Sequence, residues 1–236
     1  MIKIKRKSTV TTLCAVMIGL FFAVGCKKDE GKKENNSNLT TIVNDNFSWA
    51  TLLYVPCPEI WCNVRTQYVY FEGDSIVGDI VYRKVFSCSD KLHENIKCEG
   101  LIREQREKTY FIPYSFETEY LLYDFSLEAG MMFEYKYWDF GGTESATFFV
   151  SFVDFVEING AMKKRIQIKA SSDDEWVVDT WIEEIGSMSG ILYPCYQSFL
   201  DGEVKSLLCC YQSNELIYKN PVYSECYYDN LDDIKK

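Results

Sequence analysis

Short β-rich runs separated by turns that contain glycine or asparagine constrain the fold of this chain most strongly. The clearest hairpin signal is Asn159-Gly160. Beyond it, Ile166 and Ile168 alternate with basic or polar residues at the period of two that is typical of a strand with one buried face. No window after the first 25 residues has a sustained helical period of 3.6. The sequence therefore predicts an all-β fold, an antiparallel meander that forms a barrel or a sandwich.

Two further features concern the hairpins. The sequence Glu72-Gly73-Asp74-Ser75 predicts a turn between two strands. Residues 76–85 and 158–166 resemble each other, since each has an apolar start, a glycine-containing turn, a basic pair and a β-branched residue. This similarity fits either an internal repeat or chance.

The first 25 residues are typical of an export signal. Four basic residues precede an apolar run over residues 13–24, which is shorter than a membrane span of about 20 residues. The following Ala23-Val24-Gly25-Cys26 resembles the lipobox of bacterial lipoproteins, and this resemblance implies cleavage before Cys26 and lipidation of Cys26. The next four residues, Lys27-Lys28-Asp29-Glu30, resemble export tags of Bacteroidota lipoproteins displayed on the outer face of the outer membrane. A solvated linker is the alternative.

Composition then divides the chain into four parts. We expect a cleaved signal helix at 1–25 and a lipidated cysteine with a flexible, polar tether at 26–45. A single all-β domain is predicted at 46–228, followed by a disordered acidic tail at 229–236.

Charge limits the possible partners. Loss of the signal removes four of the 25 basic residues and none of the 35 acidic ones, which leaves a net charge of −14. Such a surface repels phosphate backbones, so no nucleic acid is expected as a partner. It also disfavours electrostatic adhesion to anionic lipid, so attachment to the membrane is expected through the lipid anchor alone.

Eight cysteines remain after Cys14 and Cys26 are set aside. An even number in an exported chain favours structural disulfides or buried thiols over metal or redox sites. The disulfide candidates are Cys57, Cys62, Cys88, Cys98, Cys195, Cys209, Cys210 and Cys226.

Specific pairings can be written for these cysteines. Cys88 with Cys98 would close a polar loop, and Cys57 with Cys62 would close a proline bend. Cys209 and Cys210 must face opposite sides of a strand. A three-residue loop at Asp201-Gly202-Glu203 places Cys195 opposite Cys209, whereas a two-residue loop does not. If Cys195 pairs with Cys209, Cys210 could reach Cys226.

Motifs for catalysis or cofactors are weak. Gly186-Ser187-Met188-Ser189-Gly190 lacks the central serine of a nucleophile elbow, and the one histidine, His93, precedes it. The chain has no phosphate-binding glycine loop, and no cofactor or metal site is predicted. A carboxylate-based glycan hydrolase needs no histidine and stays an alternative. Its candidate acids are Asp124, Asp173, Asp174, Glu175, Glu183 and Glu184.

Aromatic residues supply the candidate binding groups. They make up 16% of the chain, which fits either stacking platforms or an ordinary β core. Tyr137 and Trp138 lie beside Gly141-Gly142 in a predicted loop and are the best candidates for exposed binding residues. Asp74-Ser75-Ile76 resembles an O-glycosylation site of exported Bacteroidota proteins, with Ser75 as the acceptor in the predicted turn.

Two longer stretches carry a family resemblance. Leu121-Leu-Tyr-Asp-Phe-Ser-Leu127 and Trp181-Ile-Glu-Glu-Ile-Gly-Ser187 resemble motifs of uncharacterised β-rich secreted proteins and lipoproteins of Bacteroidota. Glu184 stands where the second motif usually has glycine. The resemblance implies β structure and an envelope location, and no activity.

The sequence thus predicts a lipid-anchored outer-membrane lipoprotein that faces the cell exterior. Its predicted role is that of a non-catalytic binding or accessory module for a glycan or a protein. A glycan hydrolase and a purely structural envelope protein are the alternatives.

Overall fold

Thirteen β-strands and no helices form the described part of the chain. A computed structural model describes residues 42–56, 61–137, 144–195 and 202–230. The strands are β1 (Phe47–Pro56), β2 (Trp61–Val77), β3 (Ile80–Cys88), β4 (Lys97–Gln105), β5 (Lys108–Pro113), β6 (Tyr120–Asp124), β7 (Met132–Tyr137), β8 (Glu144–Ile158), β9 (Ala161–Lys169), β10 (Asp179–Ile182), β11 (Gly186–Ser187), β12 (Val204–Gln212) and β13 (Glu215–Lys219).

The strands form two curled antiparallel sheets, each of which is half of a barrel. The larger sheet has the order β13-β12-β1-β2-β3-β4-β5-β6, and the smaller has the order β11-β10-β9-β8-β7. Each sheet is a meander of sequential hairpins, except that β12 returns to pair with β1. The predicted all-β antiparallel fold is confirmed.

The main core lies between the two sheets. Trp49 and Phe71 come from the larger sheet, Trp181 from the smaller one, and all three are buried in the same cluster. The ring of Tyr123 meets that of Trp181 edge to face, with centroids 5.2 Å apart. Aromatic pairs in this geometry contribute about 1 kcal/mol beyond their buried area.

A smaller apolar cluster covers the opposite face of the larger sheet. Side chains alternate along β1, so Trp49 points into the main core while Ala50 and Leu52 join this second cluster. The chain after β13 packs over the same face, where Tyr228 is 1% exposed. The larger sheet is therefore covered on both faces near β1, β2 and β12.

Local turn chemistry explains the hairpins. Asn159 and Gly160 both have positive φ, 50° and 77°, as a two-residue hairpin turn requires, and Ile158 pairs with Ala161. The prediction of a turn at Glu72 to Ser75 is wrong. Strand β2 continues through that stretch with a β-bulge between Phe71 and Asp74, and the turn lies at Gly78-Asp79.

The two hairpins that resemble each other in sequence also share a burial pattern. Along β3 and β9, the first eight residues follow the same order of exposed, intermediate and buried positions. Ile166 and Ile168 are fully buried, as the alternation in β9 predicts. Lys163 is also buried, against the prediction, because it forms an ion pair with Glu184.

Two segments that the β-rich sequence pattern assigns to strands, residues 176–178 and Cys195, lie outside the strands of the structure. Strand β10 begins at Asp179, and Trp176 lies before it in the connection from β9, where it is 80% exposed. Cys195 lies in a turn and not in a strand that pairs with β12, because β12 pairs with β1 and β13.

One disulfide is present among the described residues, and it joins Cys209 to Cys226. The predicted pairings of Cys195 with Cys209 and Cys210 with Cys226 are therefore wrong. Cys209 and Cys210 do face opposite sides, since Cys209 belongs to the smaller cluster and Cys210 to the main core. A β-bulge lies in the β1–β12 ladder between Ala50 and Thr51, and Leu208 and Cys209 both belong to the smaller cluster.

The predicted disulfide between Cys88 and Cys98 is also absent. The register places Phe86, not Cys88, opposite Cys98, so the two thiols are offset along the β3–β4 ladder. The alternative of buried thiols holds for Cys88, Cys195 and Cys210. Cys57 and the side chain of Cys62 lie outside the described residues.

Candidate functional site

A groove rich in tyrosine opens on the outer face of the larger sheet. We call it the tyrosine groove; it has a volume of about 410 Å³. It is formed by the start of β1, the middle of β2, the β3–β4 loop and the β12–β13 turn. The lining residues are Asp45, Asn46, Phe47, Ser48, Tyr68, Tyr70, His93, Tyr211 and Asn214.

Strand alternation places the tyrosines there. In β2, Val69 and Phe71 point into the main core, so Tyr68 and Tyr70 must point out of the opposite face. Tyr211 follows Cys210 in β12 and lies on the outer face for the same reason. These rings are half-buried, so part of each is exposed at the surface while the strands hold them in place.

The rings in the groove pack against one another. His93 lies 4.7 Å from Tyr68 between ring centroids, and Tyr70 stacks on Phe86 at 5.8 Å. Burial, and next the nearby phenol of Tyr211, raise the pKa of Tyr68 to about 12. Tyr68 is neutral at physiological pH, as an ordinary tyrosine is, and the raised pKa extends this state to more alkaline pH.

Asp90 holds the loop that carries His93. Its two carboxylate oxygens accept hydrogen bonds from the backbone N–H groups of Glu94, at 2.8 Å, and Asn95, at 2.9 Å. These bonds lower the pKa of Asp90. His93 itself has φ of 57°, and its N–H donates to the carbonyl of Asp90. Side-chain-to-backbone bonds thus order this loop without the predicted disulfide.

Short polar side chains form the rim. Asp45 forms an ion pair with Arg83, with 3.1 Å between oxygen and nitrogen. The carbonyl of Asn46 accepts a hydrogen bond from the N–H of Ser213 at 2.7 Å, which ties the β12–β13 turn to the start of β1. Asn214, in this turn, is exposed and lines the groove near the start of β1.

The structure does not place the binding side chains predicted from sequence. Tyr137 ends β7 in the smaller sheet, and its side chain and Trp138 lie outside the described residues. Ser75 lies within β2, where it pairs with Tyr82 and is half-buried, so its predicted position in a turn is wrong. Cys26 also lies outside the described residues. His93 does line the groove, although the sequence singled it out only for nucleophile chemistry.

Three of the acids predicted for hydrolysis lie in strands or at strand ends. Each of them forms an ion pair or a hydrogen bond within the fold. Asp124 forms an ion pair with Lys108 at 2.9 Å. Glu183 accepts a hydrogen bond from the N–H of Lys164, and Glu184 forms an ion pair with buried Lys163.

Three further acids, Asp173, Asp174 and Glu175, lie together in the connection from β9 to β10. Across the described ranges, no group of three or more histidine, cysteine, aspartate or glutamate side chains could hold a metal ion.

Two carboxyls that the sequence did not single out have raised pKa values. Burial raises the pKa of Glu104 to about 7 and that of Asp179 to about 6. The oxygens of Glu104 accept hydrogen bonds from the N–H groups of Ile42, at 2.9 Å, and Val43, at 3.3 Å. Both oxygens of Asp179 are occupied inside the core, so these two groups serve the fold.

Comparison with protein-family models, curated proteins and solved structures found no match. Among the described residues, no helix is long and apolar enough to cross a membrane. The tyrosine groove is therefore the feature on which a functional proposal can be based.

Proposed function

We propose that this chain is a lipid-anchored envelope protein, displayed on the cell surface, that binds glycans through the tyrosine groove. The export signal and the Gly25-Cys26 pair support the anchor, and the polar residues after Cys26 support display on a tether. The groove supports the binding role. No catalytic step is part of the proposal.

The observation that carries the proposal is the combination of aromatic rings with short polar groups. Tyr68, Tyr70 and Tyr211 line the groove with half-buried rings that each carry a hydroxyl group, which suits the mixed surface of a sugar ring. Asn46 and Asn214 offer amide donors and acceptors at the rim. Pockets that recognise small ligands commonly combine an apolar lining with a few convergent polar groups.

Charge separates glycans from nucleic acids, whose bases also stack on aromatic rings. Nucleic-acid sites combine stacking with a basic groove that follows the phosphates. Here Asp45 places a carboxylate in the groove. The nearby Arg83 already forms ion pairs with Asp45 and Asp74. The whole chain has a net charge of −10. The groove therefore favours uncharged sugars.

A glycan array that displays neutral and anionic oligosaccharides, probed with the purified protein, tests the binding role. We expect neutral glycans to bind, and Tyr68→Ala to weaken the strongest interaction at least tenfold in calorimetry, which is about 1.4 kcal/mol. Tyr114→Ala is the matched control, because Tyr114 is exposed but lies outside the groove.

Two results would contradict the binding role. One is an array without any bound glycan, and the other is equal binding by the wild type and Tyr68→Ala. Binding of a protein partner to the same residues would show that the groove serves protein recognition instead.

The anchor has its own test. Cys26→Ser should move the protein from the membrane fraction to the soluble fraction, because the acidic chain has no electrostatic attraction to anionic lipid. Persistent membrane association of Cys26→Ser would refute lipid anchoring. Protease shaving of intact cells then checks surface display.

A further inference from the structure

We infer that the end of the β2–β3 hairpin inserts into the lipid surface to which the proposed anchor attaches the chain. The contact is made by Ile76, Val77, Ile80 and Val81, which we call the aliphatic tip. This inference rests on the lipid-anchoring part of the proposed function and adds a second contact with the same membrane. Four side chains are too few to hold the domain there alone, so loss of the anchor still releases the protein.

The aliphatic tip projects beyond the rest of the larger sheet. Strand β1 pairs with β2 only as far as Tyr70, and β4 pairs with β3 only from Arg83 onward. From Ser75 to Tyr82, the two strands of the hairpin therefore pair only with each other. Among the described residues, no further strand pairs with the tip on either edge, so the tip forms a narrow two-stranded ribbon.

Both faces of this ribbon are apolar and exposed. Ile76 is 70% exposed and its cross-strand partner Val81 is 57% exposed. Val77 is 44% exposed and its partner Ile80 is 45% exposed. Successive residues of a strand point to opposite faces, so the two pairs cover opposite sides of the ribbon. Contiguous exposed apolar residues of this kind mark a contact with a protein or with a membrane.

The tip lies at the end of the domain where the chain enters. Strands β1 and β2 are antiparallel, so the end of β2 that leads to the tip lies beside the start of β1. Asp45, just before β1, forms an ion pair with Arg83 at the base of the hairpin. Val43 and Val81 line the same small cleft. The first residues of the domain therefore lie against the hairpin that carries the tip.

This position keeps the tip within reach of the membrane. Residues 27–41 separate the proposed lipidated Cys26 from Ile42, the first described residue. A stretch of this length spans at most about 50 Å even when fully extended. The anchor therefore gives lipid a high effective concentration at the tip, which makes a weak contact sufficient.

The chemistry of the tip favours lipid over a protein partner. A protein surface would cover one face of the ribbon, whereas lipid surrounds both faces. Residues 76–81 contain no basic side chain, and Asp79 in the turn is acidic. The contact therefore depends on the transfer of aliphatic surface from water and not on anionic headgroups. The charge of Asp79 keeps the insertion shallow, at the depth of the headgroups.

Reactivity of an introduced thiol tests the inference. Val77→Cys is prepared as the lipidated protein on phosphatidylcholine vesicles, and in solution in combination with Cys26→Ser. Both are treated with a charged, membrane-impermeant maleimide, and peptide mass mapping follows the modification of residue 77 alone. We expect this thiol to react at least tenfold more slowly on vesicles than in solution, because lipid excludes the charged reagent. Ile80→Cys, at the cross-strand position, replaces Val77→Cys if that variant fails to fold.

Val177→Cys is the matched control, because Val177 is 43% exposed, almost the same as Val77. Strand β9 begins near the β4–β5 turn, since Lys164 Nζ donates to the carbonyl of Phe125, whose N–H donates to the carbonyl of Glu107. That turn and the tip lie at the same end of the domain, because β3 and β4 are antiparallel. Val177 follows the far end of β9, so its thiol should react at the same rate, within twofold, on vesicles and in solution.

The outcomes separate this inference from the proposed function. Equal reactivity of Val77→Cys on vesicles and in solution, or equal protection of the two thiols, overturns the inference and leaves lipid anchoring and glycan binding in place. Protection that rises with the ratio of protein to lipid would show that a second copy covers the tip, which also overturns it. A wild type that carries no lipid overturns the proposed anchor, and this inference with it.

Discussion

Ser187 Oγ lies 2.9 Å and 2.7 Å from the two carboxylate oxygens of Asp179, inside the core between the sheets. The same carboxylate accepts hydrogen bonds from the indole N–H of Trp181 at 2.9 Å and the backbone N–H of Cys195 at 2.7 Å. One buried side chain therefore joins β10, β11 and the turn at Cys195.

Asp179→Asn should lower the free energy of unfolding by about 3 kcal/mol. The new amide NH₂ would face donors that now point at a carboxylate, and a buried donor without an acceptor is costly. Chemical denaturation measures the change. Asp173→Asn, an exposed acid in the same β9–β10 connection, should change it by less than about 0.5 kcal/mol. Equal stability of the two variants would contradict the structural role of Asp179.

Glu104 should make the protein less stable as pH rises. Its pKa is raised from the ordinary 4.5 to about 7, so the folded state holds a proton more tightly than the unfolded state does. The stabilisation is complete below pH 4.5 and is lost as pH rises to about 7, an effect of about 3 kcal/mol. Glu104→Gln should flatten the dependence of unfolding free energy on pH between 5 and 7.

Denaturation curves at several pH values check this prediction for Glu104. Glu107→Gln, in the exposed turn before β5, should keep the wild-type slope. Burial also raises the pKa of Asp179, to about 6, so part of the slope at lower pH should persist in Glu104→Gln. An identical slope in the wild type and Glu104→Gln would show that Glu104 titrates normally.

Loss of the disulfide should destabilise the domain. Cys209 and Cys226 are 17 residues apart, and a cross-link of this length contributes about 3 kcal/mol. The double variant Cys209→Ser, Cys226→Ser should unfold at lower denaturant concentration. A protease should also cut it faster within residues 220–230, which follow β13. Cys98→Ser, which replaces a half-buried thiol, should leave both readouts near the wild-type values. Peptide mapping without reductant that recovers Cys226 as a thiol would refute this disulfide.

Gly100 in β4 should tolerate no side chain. Its φ is 151°, and an added Cβ would lie 2.1 Å from the carbonyl oxygen of Ile112 and 2.9 Å from the ring of Phe111. Gly100→Ala should therefore cost about 3 kcal/mol or prevent folding, because backbone of β5 must move. A Cβ added at Gly202 would meet no atom within 4 Å, so Gly202→Ala should leave the stability almost unchanged. Thermal unfolding compares the two, and similar melting temperatures would contradict the close approach of β4 and β5.

Local sequence predicts the hairpins of this fold well. A turn such as Asn159-Gly160 needs only two residues with positive φ, and these residues adopt it readily. The sequence at Gly73 predicts a turn where the structure has a bulge, because both features use glycine with positive φ, here 70°. The pairing of β12 with β1 depends on contacts between residues 150 or more positions apart in the chain, and no local pattern encodes it.

The candidate site was harder to predict for the same reason. Tyr68, His93 and Tyr211 come from separate hairpins, and only the order of strands in the sheet brings them together. Period-two alternation could have assigned Tyr68 and Tyr70 to the outer face of β2. That face could not be recognised as a groove without knowing that the β3–β4 loop and the β12–β13 turn flank it.

The hydrogen bonds from Ile42 and Val43 to Glu104 have a mechanical consequence. A pull on the chain ahead of Ile42 acts on these two bonds before it reaches β1, which is held by β2 on one side and β12 on the other. Ile42 is also buried in the main core, so the Glu104 side chain and the core bear this load together, ahead of the sheet ladder. If the proposed tether is pulled, this attachment takes the load before the strands that line the tyrosine groove.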